Sequence, residues 1–244
     1  MQAPQLGVQS PPVVPPKSSN LWLSAGWVLL VGGYTAAALV LQHDIEAKTA
    51  FGNIFQCLVP LFANAGLLIN AGTPHWRRNA FWMLLTLGCS MWMAGQLMWT
   101  YFELHLKQAV PNPFLGDIIF FLHTVPMIGA LAMRPHARRA DANLKYGYLD
   151  FALLLLWWVY LYVFIVIPWE YVQFELTLYG DRYNTLYMIE NSVYVLGMGY
   201  LVYTASGGWR VVYGHLFGAG LVYALGSLLA NVAIDRKEYS TGSL

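Results

Sequence analysis

Residues 80–133 read AFWMLLTLGCSMWMAGQLMWTYFELHLKQAVPNPFLGDIIFFLHTVPMIGALAM. Two apolar runs, about 80–102 and 114–133, flank a short link, KQAVPNP, that carries two prolines. Each run is close to the roughly 20 residues an α-helix needs to cross about 30 Å of hydrocarbon. Neither alternates polar and apolar residues at period two, as the strands of a membrane β-barrel would. The stretch therefore predicts two successive membrane-spanning helices. A backbone in lipid has to satisfy its own hydrogen bonds, and helices do so.

Working outward, five more runs of this kind appear at about 21–41, 51–71, 148–168, 185–205 and 211–233. The expected fold class is all-α: a polytopic membrane bundle of seven transmembrane helices. Composition agrees. Of 244 residues, 58% are hydrophobic and 10% charged, against about 25% charged in soluble domains. Ten Trp and sixteen Tyr suit helix ends anchored at a membrane interface. Residues 1–20 hold five prolines and one lysine. They lack the charged start and apolar core of a cleavable signal peptide and read as a disordered tail. The transmembrane domain is expected over 21–234, and 235–244 reads as a short polar tail. Net charge is +1, which gives no electrostatic case for nucleic acid. Cys57 and Cys89 both fall in apolar runs, where thiols act as small hydrophobes.

Basic residues set the expected orientation. Eight (Lys17, Arg77, Arg78, Arg134, Arg138, Arg139, Lys145, Arg210) fall on the side of the N-terminus, and five (Lys48, Lys107, Arg182, Arg236, Lys237) on the other. The positive-inside rule places the N-terminus in the cytoplasm, and seven spans place the C-terminus outside. Gln56, Gln96, Glu103, Asp117, Glu190, Asn191 and Asn231 then belong to the outer half of the bundle, with His123 near mid-depth. Charge at membrane depth costs roughly 2.5–3.5 kcal/mol per group and usually faces a cavity or a partner. The expectation is a polar pocket in the outer leaflet that binds a small ligand or ion through Glu103, Asp117, His123 and Glu190, helped by Gln96 and Asn191. Structural roles compete with this. Asp117 starts a helix and can cap it, Glu103 can sit among headgroups, and Pro126 is placed to kink the fourth helix. Gly197, Gly214, Gly218 and Gly226 read as close-packing positions.

Several chemistries are disfavoured. All five lysines (Lys17, Lys48, Lys107, Lys145, Lys237) lie outside the spans, so no retinal Schiff base can form within them. No HExxH, GxxxxGK[ST] or GxSxG motif occurs, which removes the commonest metalloprotease, nucleotide and serine-hydrolase sites. His123 and His215 fall at different depths, which argues against a shared haem. The carboxylates and His123 suit a hard or borderline cation, but no spacing enforces one. No cofactor and no enzymatic activity are expected.

Residues 80–136 also carry a resemblance. WMAGQLMWTYFE (92–103), PNPFLGDIIFFLH (111–123) and, at the tail, YSTGSL (239–244) are similar to the N-terminal multi-span sensor region of bacterial membrane-bound signalling proteins. In those proteins a helical sensor precedes a cytoplasmic diguanylate cyclase or histidine kinase domain. The resemblance implies a sensory module of the bacterial inner membrane and a cytoplasmic output domain on a longer parent chain. An eighth span after Leu244 and a possible homodimer are implied as well. The functional expectation is a signal-transducing membrane domain without catalysis of its own. The alternative is a small transporter or channel whose carboxylates line a proton or ion path.

Overall fold

The computed structural model describes residues 19–72, 76–111, 114–136, 144–168, 176–236, 239 and 241–242. Most of the expected N-terminal tail lies outside these residues. The described chain is all-helical, with no strand among the described residues.

Helix α1 covers Ser19–Val40 and α2 Ile45–Ala71, with α3 at Trp76–Thr100 continuing as a π-helical turn, Tyr101–His105. Next come α4 (Leu115–Leu122), α5 (Thr124–Met133) and α6 (Leu144–Leu161), the last passing into a second π-helical turn, Tyr162–Val166. The chain ends with α7 (Leu176–Thr204) and α8 (Gly207–Asp235). All seven apolar runs are thus helical, the fourth as two pieces meeting at His123. The break has a local cause. Pro126 has no N–H to offer the carbonyl of Leu122, and its ring crowds that carbonyl.

Among the described residues, four helical stretches are long and apolar enough to cross a membrane: Ile45–Ala71, Trp76–His105, Leu115–Met133 and Gly207–Ile234. This is a helical membrane protein. Its outward faces agree, since Ile69, Leu196, Val222 and Leu229 are 70–80% exposed. Helices α1 and α6 contribute shorter apolar stretches, Val28–Val40 and Ala152–Phe164.

Helix α2 packs on α3, α3 on α4 and α5, α5 on α6 and α7, and α7 on α8. The core falls into two clusters. One joins Phe81 and Leu85 of α3 to Ile128 and Met133 of α5, Met198 and Leu201 of α7, and Tyr213 of α8. The other joins Phe121 and Val125 to Trp158, Tyr162 and Tyr187. Lipid tails are as apolar as these side chains, so van der Waals fit between helices does the holding. Gly88 permits the closest approach of α3 to the α4–α5 break. A Cβ there would lie 2.6 Å from the His123 carbonyl oxygen and 2.5 Å from Met127 Cγ.

The glycine spacing in α8 misled. Gly214, Gly218 and Gly226 face open space, whereas a Cβ on Gly220 would lie 2.7 Å from the Tyr194 ring. Gly197 does pack closely, against Leu131. The aromatic run of α6 divides between faces: Trp157, Tyr160 and Phe164 point outward, while Trp158 and Tyr162 are buried.

The two ends of the bundle differ. At one, Arg78 lies over the Trp209 ring at 5.8 Å and Arg134 over Tyr200 at 5.8 Å, while His136 Nδ1 meets the Tyr213 hydroxyl at 2.8 Å. At the other, the start of α2, the end of α3, the start of α4 and the end of α8 come together. An ion pair between Lys107 and Glu46 ties the first two; it is exposed and adds little to stability.

Candidate ligand cavity and tail latch

At that second end the helices line a partly open cavity of about 450 Å³, within the ordinary range of small-molecule pockets, ~300–1,000 Å³. Helix α3 supplies Trp92, Gln96 and Trp99 one turn apart, and α4 presents Phe114, Asp117 and Phe120. Opposite them stand Tyr183, Asn184 and Tyr187 of α7, then Tyr223, Ser227 and Asn231 of α8. Gln56 of α2 and Tyr239 of the C-terminal tail complete the polar lining.

Asp117 is both lining and cap. Its Oδ2 accepts from the backbone N–H of Phe114 at 3.0 Å, while its own N–H donates to the Phe114 carbonyl at 3.0 Å. This reciprocal pair closes the first turn of α4, where free amides and a positive dipole end favour a carboxylate. Tyr183 donates to the Asp117 carbonyl at 3.2 Å and so ties α7 to α4 at the rim.

The floor is a hydrogen bond between the hydroxyls of Tyr187 and Tyr223. His123 lies against this pair, its ring 5.6 Å from that of Tyr223 and 6.2 Å from that of Tyr187. Its Nδ1 bonds the Phe120 carbonyl, within the break between α4 and α5. Glu190, one turn below Tyr187 on α7, is fully buried. The Thr124 hydroxyl faces its carboxyl but is turned to the Phe121 carbonyl at 3.4 Å. Among the described residues, neither Glu190 oxygen forms a hydrogen bond of acceptable geometry. Asn191 bonds back to the Tyr187 carbonyl at 2.9 Å.

Glu103 belongs to a second cluster beside the cavity. The π-helical turn carries it toward α2, where Oε2 accepts from Asn53 Nδ2 at 2.6 Å. Asn53 is fully buried, donates also to the Thr49 carbonyl at 3.0 Å, and accepts from the Thr100 hydroxyl at 2.9 Å. The other Glu103 oxygen accepts from Thr241 at 2.9 Å. The tail thereby folds back over the bundle end. Thr241 is 2% exposed, and Gly242, at φ +84°, packs so closely that a Cβ on it would lie 2.6 Å from the Lys48 carbonyl. An L side chain would be strained at that φ, and glycine is not. Two residues before Thr241, the Tyr239 ring meets that of Trp99 edge to face at 6.1 Å. Burial, above all, holds the Tyr239 phenol above its ordinary pKa, and the Glu103 carboxylate adds to this.

Of the six residues the sequence singled out, Gln96 and Asp117 line the cavity. His123 and Glu190 border its floor from below, Asn191 is buried one residue beyond Glu190, and Glu103 holds the tail. They do not converge on one pocket. No three His, Cys, Asp or Glu side chains gather as a cation site among the described residues. Sequence reasoning passed over Trp92, Trp99, Tyr187, Tyr223 and Tyr239, because aromatic residues in such a chain read as interfacial anchors. Compared with known proteins, no family model matches this chain, and no curated protein or solved structure matches it either.

Proposed function

We propose that this chain is a membrane-embedded sensory domain of seven spans, in which occupancy of the cavity is passed to the C-terminal tail. The observation that carries the proposal is the double role of the tail. Tyr239 lines the cavity, while Thr241, two residues on, is held by Glu103. A molecule in the cavity presses on Tyr239 and therefore on the latch. A ligand shifts such an equilibrium only by its differential affinity for the latched and released states.

The seven-span reading is supported by α7. Its polar residues Tyr187, Glu190, Asn191 and Tyr194 are buried, and Met188, Ile189, Val193 and Leu196 on the other face are exposed. A helix with that distribution presents an apolar surface to lipid while its average hydropathy falls. The arginines at the far end, Arg77, Arg78, Arg134 and Arg210, support a cytoplasmic assignment for that end. The cavity and tail then face outward, in a bacterial inner membrane if the sensor resemblance holds. The Tyr187–Tyr223 hydrogen bond across the cavity favours a binding pocket over an open transport path.

Gly226 provides the test. It lines the cavity, and a Cβ on it meets nothing within 4 Å. Gly226→Phe therefore fills the space in place of a ligand. In nanodiscs, backbone hydrogen exchange at Tyr239, Thr241 and Gly242 is expected to quicken about tenfold or more, as the loss of a charge-assisted hydrogen bond implies. Gly226→Ala serves as control. Tail exchange unchanged by Gly226→Phe in a folded protein would refute the coupling.

A further inference from the structure

The cavity lining carries one sign of charge. Asp117 is the one charged side chain among the described lining residues, so an anion meets no counter-charge from them. The side-chain N–H groups of Gln96 and Trp99 are closed off within the wall. What the Gln96 amide leaves accessible is its oxygen. Gln96 is 4% exposed, and its Oε1 accepts no hydrogen bond among the described residues. On one face of α3 this residue sits between Trp92, four positions before it, and Trp99, three positions after it. Each of these indoles meets a tyrosine at nearly a right angle. The Trp92 and Tyr223 ring centroids are 6.2 Å apart at 83°, and those of Trp99 and Tyr239 are 6.1 Å apart at 85°. The lining thus offers two aromatic corners, an acceptor oxygen between their indoles, and a carboxylate.

We infer that the cavity takes an organic cation, a protonated amine carried on a hydrocarbon body. Its N–H donates to Gln96 Oε1, and aromatic faces, those of tryptophan above all, attract its positive end. Asp117 Oδ2 serves the α4 cap, so what Asp117 adds is its charge, which acts without a new hydrogen bond. This rests on the reading of the cavity as a ligand site and adds the sign and class of the ligand. An ammonium group leaves water at high cost unless it is paired and hydrogen-bonded, and the lining supplies both. A neutral molecule of the same shape gains nothing from the carboxylate. A bare metal ion finds no cluster of three His, Cys, Asp or Glu side chains among the described residues, and ring faces give it no oxygen ligands.

The test uses phenethylamine, protonated near neutral pH, titrated calorimetrically into the whole chain in nanodiscs of zwitterionic lipid with empty discs subtracted. Saturable binding is expected, and phenethyl alcohol, the neutral analogue of like shape, should bind about tenfold more weakly or worse. Asp117→Asn, which keeps a capping side chain, should weaken the amine about tenfold and leave the alcohol unchanged. Gln96→Met, which keeps the shape, should weaken the amine by a similar factor. Phenethyltrimethylammonium, charged but without an N–H, should respond to Asp117→Asn and not to Gln96→Met. If amine and alcohol bind alike and Asp117→Asn changes neither, the cation assignment is overturned while the cavity remains a binding site. Tighter binding of hydrocinnamate, the anion of like shape, would overturn it too. If no probe binds, the inference falls, and the Gly226→Phe exchange experiment decides separately whether the cavity acts on the tail.

Discussion

Gly52 is where the tail latch is most sensitive to a single atom. A Cβ at this position would lie 2.7 Å from both Cα and N of Gly242 and 3.3 Å from the Thr241 carbonyl carbon. Carbon atoms rest about 3.5–4.0 Å apart, so Gly52→Ala forces one partner to retreat by about 0.8 Å. Helix α2 resists moving, because the adjacent Asn53 is tied to Thr49, Thr100 and Glu103. The tail yields instead. The Thr241–Glu103 bond, 2.9 Å long, then stretches to roughly 3.7 Å, beyond the range in which an O–H···O contact counts as a hydrogen bond. A hydrogen bond to a charged group is worth about 1.5–3 kcal/mol, so the docked population falls about ten- to a hundredfold. Hydrogen exchange at Tyr239, whose N–H donates to Ala233 at 3.2 Å, and at Gly242 reads that change directly. Gly66→Ala is the control, since it lies on the same helix and faces open space. If Gly52→Ala folds and its tail exchanges like wild type, the latch is not what holds these residues.

Other substitutions probe the rest of the bundle. Gly88→Ala pushes a methyl against the His123 carbonyl and Met127 and should cost about 1–3 kcal/mol by overpacking, seen as a lower melting temperature in detergent; an unchanged midpoint would mean that α3 and α5 are not held this close. Glu190→Leu removes a buried carboxyl that forms no hydrogen bond among the described residues and should raise stability by about 1–3 kcal/mol, whereas a loss would reveal a partner for that carboxyl. His136 titrates below its ordinary 6.5, because burial and then the Arg134 charge disfavour the protonated ring. The unfolded chain therefore binds the proton more readily. The contribution of His136 is complete above pH 6.5 and is lost as pH falls through the lowered folded value. The effect is small because the ring is only part-buried, and His136→Gln should flatten that part of the melting-temperature profile.

Much of the fold was legible because apolar run length is a strong local signal: all seven runs are helices, and Pro126 marks the break in the fourth. The site was legible only in part. Gln96 and Asp117 stood out as polar groups in apolar surroundings, and the helix-start reading of Asp117 anticipated its cap. Glu103 stood out equally, yet its role depends on Asn53, fifty residues away, and on Thr241, 138 residues away. No local pattern encodes those distances. The aromatic lining escaped notice because a Tyr facing a cavity and a Tyr anchoring a helix at headgroups look alike in sequence. On α7 the buried positions 187, 190, 191, 194 and 198 do follow helical spacing, a signal that was available. The same spacing misled in α8, because it cannot say which of two glycine faces meets a neighbour.

The proposed sensor has its cavity and C-terminal tail at one end of the bundle, the end proposed to face away from the cytoplasm. Paired reporters fused after Leu244, one active only outside and one only in the cytoplasm, test this most directly. The account predicts signal from the outside reporter alone. Signal from the cytoplasmic reporter alone would contradict it, removing the seventh span or reversing the bundle, and would turn the cavity toward the cell interior.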